Sequence, residues 1–363
     1  MAGVLDGVRV LDLSRLLPGP FATQLLCDLG AEVIKIEDPQ GGDYLRWTPP
    51  LLDDGTSVLF HALNRGKKSV ALDLKSDDGR AAFLKLCEGA DVVVESFRPG
   101  VLDKLGLGPA FLRARFPRLV ICSISGFGQS GVLRHRAGHD VNYVARAGAL
   151  SLLKTPALLP VQVADLAGGA WPAAMQICAA LVGRARTGDG ALIDVDMTSG
   201  VTGLLAMLLA RVAVGERVDG GRDLLIGKVP CYDVYATADG HLAVGALEPK
   251  FWTAFCQALA RPELLDRGFD DDDGPDGARA IIRSTLATKT TAQWMEIFSA
   301  VDCCVEPVLS PEQVYADCAG VEVTIDHHAP LKLPTLGLGI AGHTPSSSPA
   351  PALGEHTDEV LRR

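Results

Sequence analysis

Three side chains carry the chemistry this sequence can offer. His139 stands in Arg136-Ala137-Gly138-His139-Asp140-Val141-Asn142-Tyr143, and Asp165 in Val161-Gln162-Val163-Ala164-Asp165-Leu166-Ala167-Gly168-Gly169. An imidazole and a carboxylate are groups that take and return a proton near neutral pH. Both lie in small-residue segments, where a backbone can come close to a ligand. Glu248, in Val244-Gly245-Ala246-Leu247-Glu248-Pro249-Lys250-Phe251, is a third carboxylate at a strand-to-helix junction. Structural roles remain open to all three: a satisfied core histidine, a turn or cap residue before the helix with Pro172, and a charge complementing a helix dipole.

The elements that must position these groups alternate. Val8 to Leu13 reads as strand, Phe21 to Leu29 as helix and Glu32 to Glu37 as strand again. Strands over Ser69 to Leu74, Asp91 to Glu95 and Leu119 to Ser125 are separated by helices over Asp77 to Glu88 and Leu102 to Arg115. Alternation of this kind predicts an α/β fold with a Rossmann-like parallel sheet. Apolar helices over Ala173 to Arg184 and Val201 to Val214 flank a strand-like Ala191 to Val195. From about Gly227 the pattern changes to short strands, Tyr232 to Ala236 and His241 to Val244, around a turn at Ala238-Asp239-Gly240, then helices Pro249 to Leu259 and Thr291 to Ala300. The division expected is a large domain of residues 1–226 and 330–363 and a smaller α+β domain of residues 227–329. A short amphipathic helix near Gly354 to Leu361 suggests that the C-terminus returns to the large domain.

Composition narrows the function classes. The 363 residues are 48% hydrophobic and 21% charged, as in a soluble globular protein with a sizeable core. A formal net charge of -10 speaks against a nucleic-acid partner, which needs a continuous basic face. Nine cysteines without regular spacing, including Cys303-Cys304, read as reduced thiols and suggest a cytoplasmic protein. No leader is expected at the start, and the most apolar run, Val201 to Ala210, is too short to cross a bilayer, so no membrane partner is expected.

Common cofactor and nucleophile motifs are missing. Gly337-Leu338-Gly339-Ile340-Ala341-Gly342 has the letters of a dinucleotide fingerprint but precedes Pro345 instead of opening a helix, and the first βα turn at Ser14 to Pro20 lacks the pattern, so a nicotinamide cofactor is not expected. No Gly-x-Ser-x-Gly elbow, Walker loop or His-Glu-x-x-His occurs, and His327-His328 and Cys303-Cys304 lack ligand spacing, so no metal is expected. Arg65, Lys67 and Lys68 before the third strand, with Arg98 and Lys104 after the fourth, suit either a solvated surface or a phosphorylated ligand. The acidic run from Phe269 to Gly277 reads as a solvated loop and fails the calcium-loop spacing.

Several segments together resemble the class III CoA-transferase family: Ala2 to Ser14, Asp28 to Glu37, Asn64-Arg65-Gly66-Lys67-Lys68-Ser69-Val70, Ser96-Phe97-Arg98-Pro99-Gly100, Ser125-Gly126-Phe127-Gly128 and Leu353-Gly354-Glu355-His356-Thr357. The resemblance spans essentially the whole chain and implies an acyl-CoA substrate, an interlocked homodimer, and no cofactor beyond the CoA moiety. It places Gly66, Lys67, Lys68, Leu72, Arg98, Lys104, Gly138, Asp140, Asn142 and Tyr143 along the CoA site, with the cations facing phosphates. Asp38 departs from the pattern, standing where many members carry an arginine for the nucleotide end.

Transferases and α-methylacyl-CoA racemases in the family share the aspartate that Asp165 matches. The transferases use it as a nucleophile toward the thioester, the racemases as an acid or base. His139 and Glu248 match the racemase branch, and the glycine-rich loop of the transferases is missing around Gly245. The expectation is therefore a racemase in which His139 and Asp165 serve opposite faces of the α-carbon, Glu248 bonds to His139, and the N–H groups of Asp165 and Leu166 hold the enolate oxygen. A CoA-transferase with Asp165 as nucleophile is the alternative, and a non-catalytic acyl-CoA-binding protein is a third. Leu152, Leu153, Leu158 and Leu159 form either an acyl surface or ordinary core.

Overall fold

The structure, a computed structural model, describes residues 3–325, 328–336, 340 and 344–362. His327 and the fingerprint-like run at 337–342, apart from Ile340, lie outside the described residues. The chain forms two compact units: residues 1–147, 159–205 and 318–363, and residues 148–158 with 206–317.

In the first unit strand and helix alternate: β1 (Arg9–Asp12), α1 (Pro18–Asp28), β2 (Glu32–Glu37), α2 (Val58–Asn64), β3 (Lys68–Ala71), α3 (Asp77–Glu88) and β4 (Val92–Glu95). There follow α4 (Val101–Lys104), α5 (Pro109–Arg115), β5 (Val120–Ser125), α6 (Asp140–Arg146), α7 (Val163–Asp165), a π-helical turn Leu166–Ala170, α8 (Trp171–Thr187), β6 (Leu192–Asp196) and α9 (Met197–Leu204). The six strands are parallel in the order β3-β2-β1-β4-β5-β6. Leu11, Ile34, Val93 and Ile121 are buried, because helices cover both faces of such a sheet. The order reverses between β1 and β4, and a doubly wound sheet takes its ligand beyond the carboxyl ends at that switch.

Local chemistry sets the element bounds. Ser76 caps α3 by accepting the Gly79 N–H at 3.0 Å, with Asp77 and Asp78 in the first turn and Gly89 at the end. The single helix expected over Leu102 to Arg115 is two, because Gly106 adopts φ 72° and Pro109 starts a new helix. The apolar run from Val201 to Val214 likewise breaks at Leu205, between α9 and α10 (Ala206–Ala213). The C-terminal segment returns to edge strand β3, where His356 N–H donates to the Ser69 carbonyl at 2.9 Å and Ala71 N–H to Thr357 Oγ1 at 3.0 Å. This covers an edge that would otherwise be open to pairing.

Val163–Thr187, of which the sequence showed only Ala173 to Arg184 as an apolar helix, is long and apolar enough to cross a membrane by length and composition. Ala173, Ala174 and Ile177 of this run are buried within the unit.

The second unit holds an antiparallel sheet, β7 (Tyr232–Ala236), β8 (His241–Gly245) and β9 (Val305–Pro307), in that order. Trp252 and Phe255 of α11 (Pro249–Ala258) join Trp294 and Phe298 in its core, with neighbouring ring centroids 5.4 to 5.7 Å apart. The acidic loop is latched rather than free, since Asp270, Asp271 and Asp273 pair with Arg267, Arg222 and Arg279.

Candidate active site

A cavity of about 810 Å³ in the first unit is lined by both His139 and Asp165. Its walls come from the segments beyond β1, β2, β4 and β5, with Met197 from just beyond β6, which is where the sheet topology directs a ligand.

Asp165 closes the single turn of α7 and leads into the π-helical turn, a local widening often found at functional positions. Its N–H donates to Asp140 Oδ1 at 3.0 Å, and the Ala164 N–H donates to the same oxygen at 2.7 Å. Behind it the backbone runs hard against α9. A Cβ on Gly200 would fall 2.0 Å from the Gly168 carbonyl oxygen, so this approach requires glycine. Burial first, then the neighbouring Asp140 charge, pushes the Asp165 carboxyl up to about 6, and His139 opposes the shift. A carboxyl in that range can both accept and release a proton near neutral pH.

His139 is the N-cap of α6, and its N–H donates to Asn142 Oδ1 at 3.0 Å. The Tyr143 hydroxyl donates to the Gly138 carbonyl at 2.5 Å, while its ring meets Phe127 edge-on with centroids 5.2 Å apart. A Cβ on Gly126 or Gly138 would strike the Tyr143 ring, at 2.2 and 2.7 Å. Gly138, Asp140, Asn142 and Tyr143 thus form the frame around the two acid/base candidates. Burial, reinforced by Asp165, raises the Tyr143 hydroxyl.

One expectation fails here. The Asp165 N–H is held by Asp140 and the Leu166 N–H donates to the Gln162 carbonyl at 3.0 Å, so neither is left for an enolate oxygen. Positive groups lining the cavity are Arg15, Arg98, Arg134 and Arg136.

The expected phosphate cations divide. Arg98 lines the cavity just after β4, and Lys104 is exposed on α4. Lys67 is buried: its ammonium donates to Asp12 at 3.3 Å, Thr23 at 2.8 Å, Asn64 at 3.0 Å and the Pro20 carbonyl at 3.0 Å. Lys68 bridges Glu32 and Glu359, each at 3.0 Å. Lys67 and Lys68 precede or open β3, whereas the ligand edge of the sheet is where strands end. Leu72 is a core residue beside Val70 and Phe83, and Gly66, at φ 72°, leaves room for Ser346. Expecting Lys67 and Leu72 to face the ligand is therefore corrected: the Lys67 ammonium is spent on buried oxygens of the chain itself, and Leu72 on core packing.

Glu248 belongs to the second unit, as the N-cap of α11, and Cys304 beside it has its thiol raised by burial and nearby carboxylates. Leu152, Leu153 and Leu158 lie in the second unit and Leu159 in the first. The cysteines other than Cys318 are free thiols, and no cluster of metal-ligating side chains occurs among the described residues.

The sequence missed the β1–α1 loop. Leu16 takes φ 64°, a conformation L-residues rarely adopt, and lines the cavity. Its N–H donates to Asp43 Oδ1 at 3.0 Å, and Asp43 in turn pairs with buried Lys35 at 2.9 Å. The non-fingerprint turn at Ser14 to Pro20 was the available signal.

A two-domain architecture on this sheet, with an aspartate and a histidine at its carboxyl edge, defines a class that comparison makes specific. Residues 5–357 match CoA-transferase family III, and the chain belongs to that family, whose substrates are CoA thioesters. It is 37% identical over 375 residues to α-methylacyl-CoA racemase of Homo sapiens, covering 98% of this chain and 92% of that protein. It is 33% identical over 378 residues to succinyl-CoA:glutarate CoA-transferase of Mus musculus, covering 99% of this chain and 86% of the other. Among solved structures, the Mycobacterium tuberculosis protein Rv3272 superposes with a TM-score of 0.84 at 31% identity over 99% of both chains. A CAIB/BAIF family protein from Brucella suis does so with 0.84 at 30% identity, over 100% of this chain and 99% of the other.

Proposed function

We propose that this enzyme interconverts the (2R) and (2S) forms of 2-methylacyl-CoA thioesters. The observation that carries the reading is that His139 and Asp165 line one cavity, with the Asp165 carboxyl held near 6.

A thioester acidifies its α-hydrogen because the enolate places charge on the carbonyl oxygen. Inversion then requires a base on one face of the planar carbon and an acid on the other. His139 serves one face and Asp165 the other, and reversing the roles converts the opposite epimer. The enolate charge is met by the cationic lining of the cavity, since the Asp165 and Leu166 N–H groups are engaged elsewhere. Glu248 is proposed to steady the His139 imidazolium, and the working form to be a homodimer. The exposed apolar side chains Met207, Val212 and Val214 support a dimer.

CoA transfer through Asp165 as nucleophile is the second reading, supported by the 33% identity to a CoA-transferase. Incubation of a single-epimer 2-methylacyl-CoA in D2O separates the two. Racemisation gives α-deuterium and loss of chirality, whereas transfer gives a new thioester with an added carboxylic acid and no exchange.

A further inference from the structure

Each deeply buried cation among the described residues is matched by a carboxylate: Lys35 by Asp43, Lys67 by Asp12, Arg65 by Asp28 and Arg279 by Asp233. Arg15 differs from these in place and in partners. It is half-buried, it lines the cavity, and it has no ion-pair partner among the described residues. Its guanidinium carbon lies 5.5 Å from the Tyr44 ring centroid and 5.8 Å from that of Phe97. Its backbone is fixed from two sides, the Arg15 N–H donating to Ser96 Oγ at 3.3 Å and the Leu16 N–H to Asp43 at 3.0 Å. A guanidinium held against two aromatic rings keeps its N–H edge free, and that edge matches the oxygens of a phosphate.

We propose that Arg15, stacked on Tyr44 and Phe97, binds the 3′-phosphate at the nucleotide end of the CoA thioester. This inference rests on the acyl-CoA reading of the cavity. Three observations point to the nucleotide end. The lysines expected there, Lys67 and Lys68, are already satisfied by carboxylates of the chain itself. Tyr44 and Phe97 follow β2 and β4, so Arg15 sits over the end of β1, two strands from β5. That is roughly 10 Å along the sheet edge from the loops beyond β5 that carry His139 and Asp165, a separation the pantetheine arm spans and a short acyl group does not.

The test measures binding of CoA, 3′-dephospho-CoA, succinyl-CoA and propionyl-CoA to the full chain and to Arg15→Ala and Arg15→Lys. The wild-type chain is expected to prefer CoA over dephospho-CoA by roughly ten- to hundredfold, as for a charge-assisted contact. Arg15→Ala is expected to abolish that preference and Arg15→Lys to restore part of it. An unchanged preference in Arg15→Ala overturns the proposal, as does a variant that loses only a preference for succinyl-CoA over propionyl-CoA, which would assign Arg15 to the acyl end. Should the variants not fold, a wild-type chain that binds CoA and dephospho-CoA equally overturns it alone. A wild-type chain that binds none of the four ligands would instead defeat the acyl-CoA reading.

Discussion

Asp140 Oδ1 accepts the backbone N–H of Asp165 at 3.0 Å, so one carboxylate both holds the turn that carries another and repels its charge. Asp140 follows His139 directly, which ties the positions of the two proposed acid/base groups together.

Asp140→Asn keeps an oxygen for the two N–H groups but removes the charge. Since that charge helps raise the Asp165 carboxyl to about 6, the acid limb of kcat/KM is expected to move below pH 6. Asp140→Ala also loses the hydrogen bonds and is expected to lower kcat more than Asp140→Asn does. A pH–rate series on the three proteins checks both.

Asp165→Asn is expected to abolish turnover and yet stabilise the fold. A carboxyl whose folded pKa lies above its unfolded value weakens the fold once ionised, a cost that develops between about pH 4 and 6 and is complete above. After allowance for partial exposure the gain is on the order of 1–2 kcal/mol. Melting curves at pH 4 and pH 7.5 should show equal stability at the first and a higher Tm for the variant at the second.

Gly200→Ala places a methyl 2.0 Å from the Gly168 carbonyl oxygen. Overpacking of this kind costs about 1–3 kcal/mol and here displaces the turn bearing Asp165. Both Tm and kcat are expected to fall. Gly203→Ala on the same helix, with open space around its Cβ, is expected to change neither.

Lys67→Met tests the correction at that position. Asp12 is buried, and although burial works to raise its carboxyl, Lys35 and Lys67 outweigh it and hold the group at about 2. Removing one partner of a buried pair is expected to cost about 3 kcal/mol. The folded variant should bind CoA as the wild-type chain does, by calorimetry. A selective loss of CoA affinity without destabilisation would return Lys67 to the ligand.

The parallel sheet was legible because strands buried on both faces, such as Val92 to Val94, read as continuous apolar runs between amphipathic helices. His139 and Asp165 were legible as residue types in small-residue segments, and the cavity brings them together. Lys67 was misread because sequence shows a charge but not its partners, and a lysine beside a strand can reach inward to Asp12 as readily as outward. The Asp140 clamp and the Gly168–Gly200 approach depend on contacts 24 to 32 positions apart, which no local pattern reports. Arg15 escaped notice for the same reason, since its rings come from two other loops.

The most direct measurement follows a single-epimer 2-methylacyl-CoA in D2O with the wild-type enzyme and His139→Ala. The wild-type enzyme is expected to incorporate α-deuterium while the product becomes racemic, and His139→Ala to lose racemisation by roughly 10²- to 10⁴-fold. No α-deuterium with the wild-type enzyme, together with CoA transfer to an added carboxylic acid, would contradict the racemase. Full racemisation by His139→Ala would contradict the two-base arrangement.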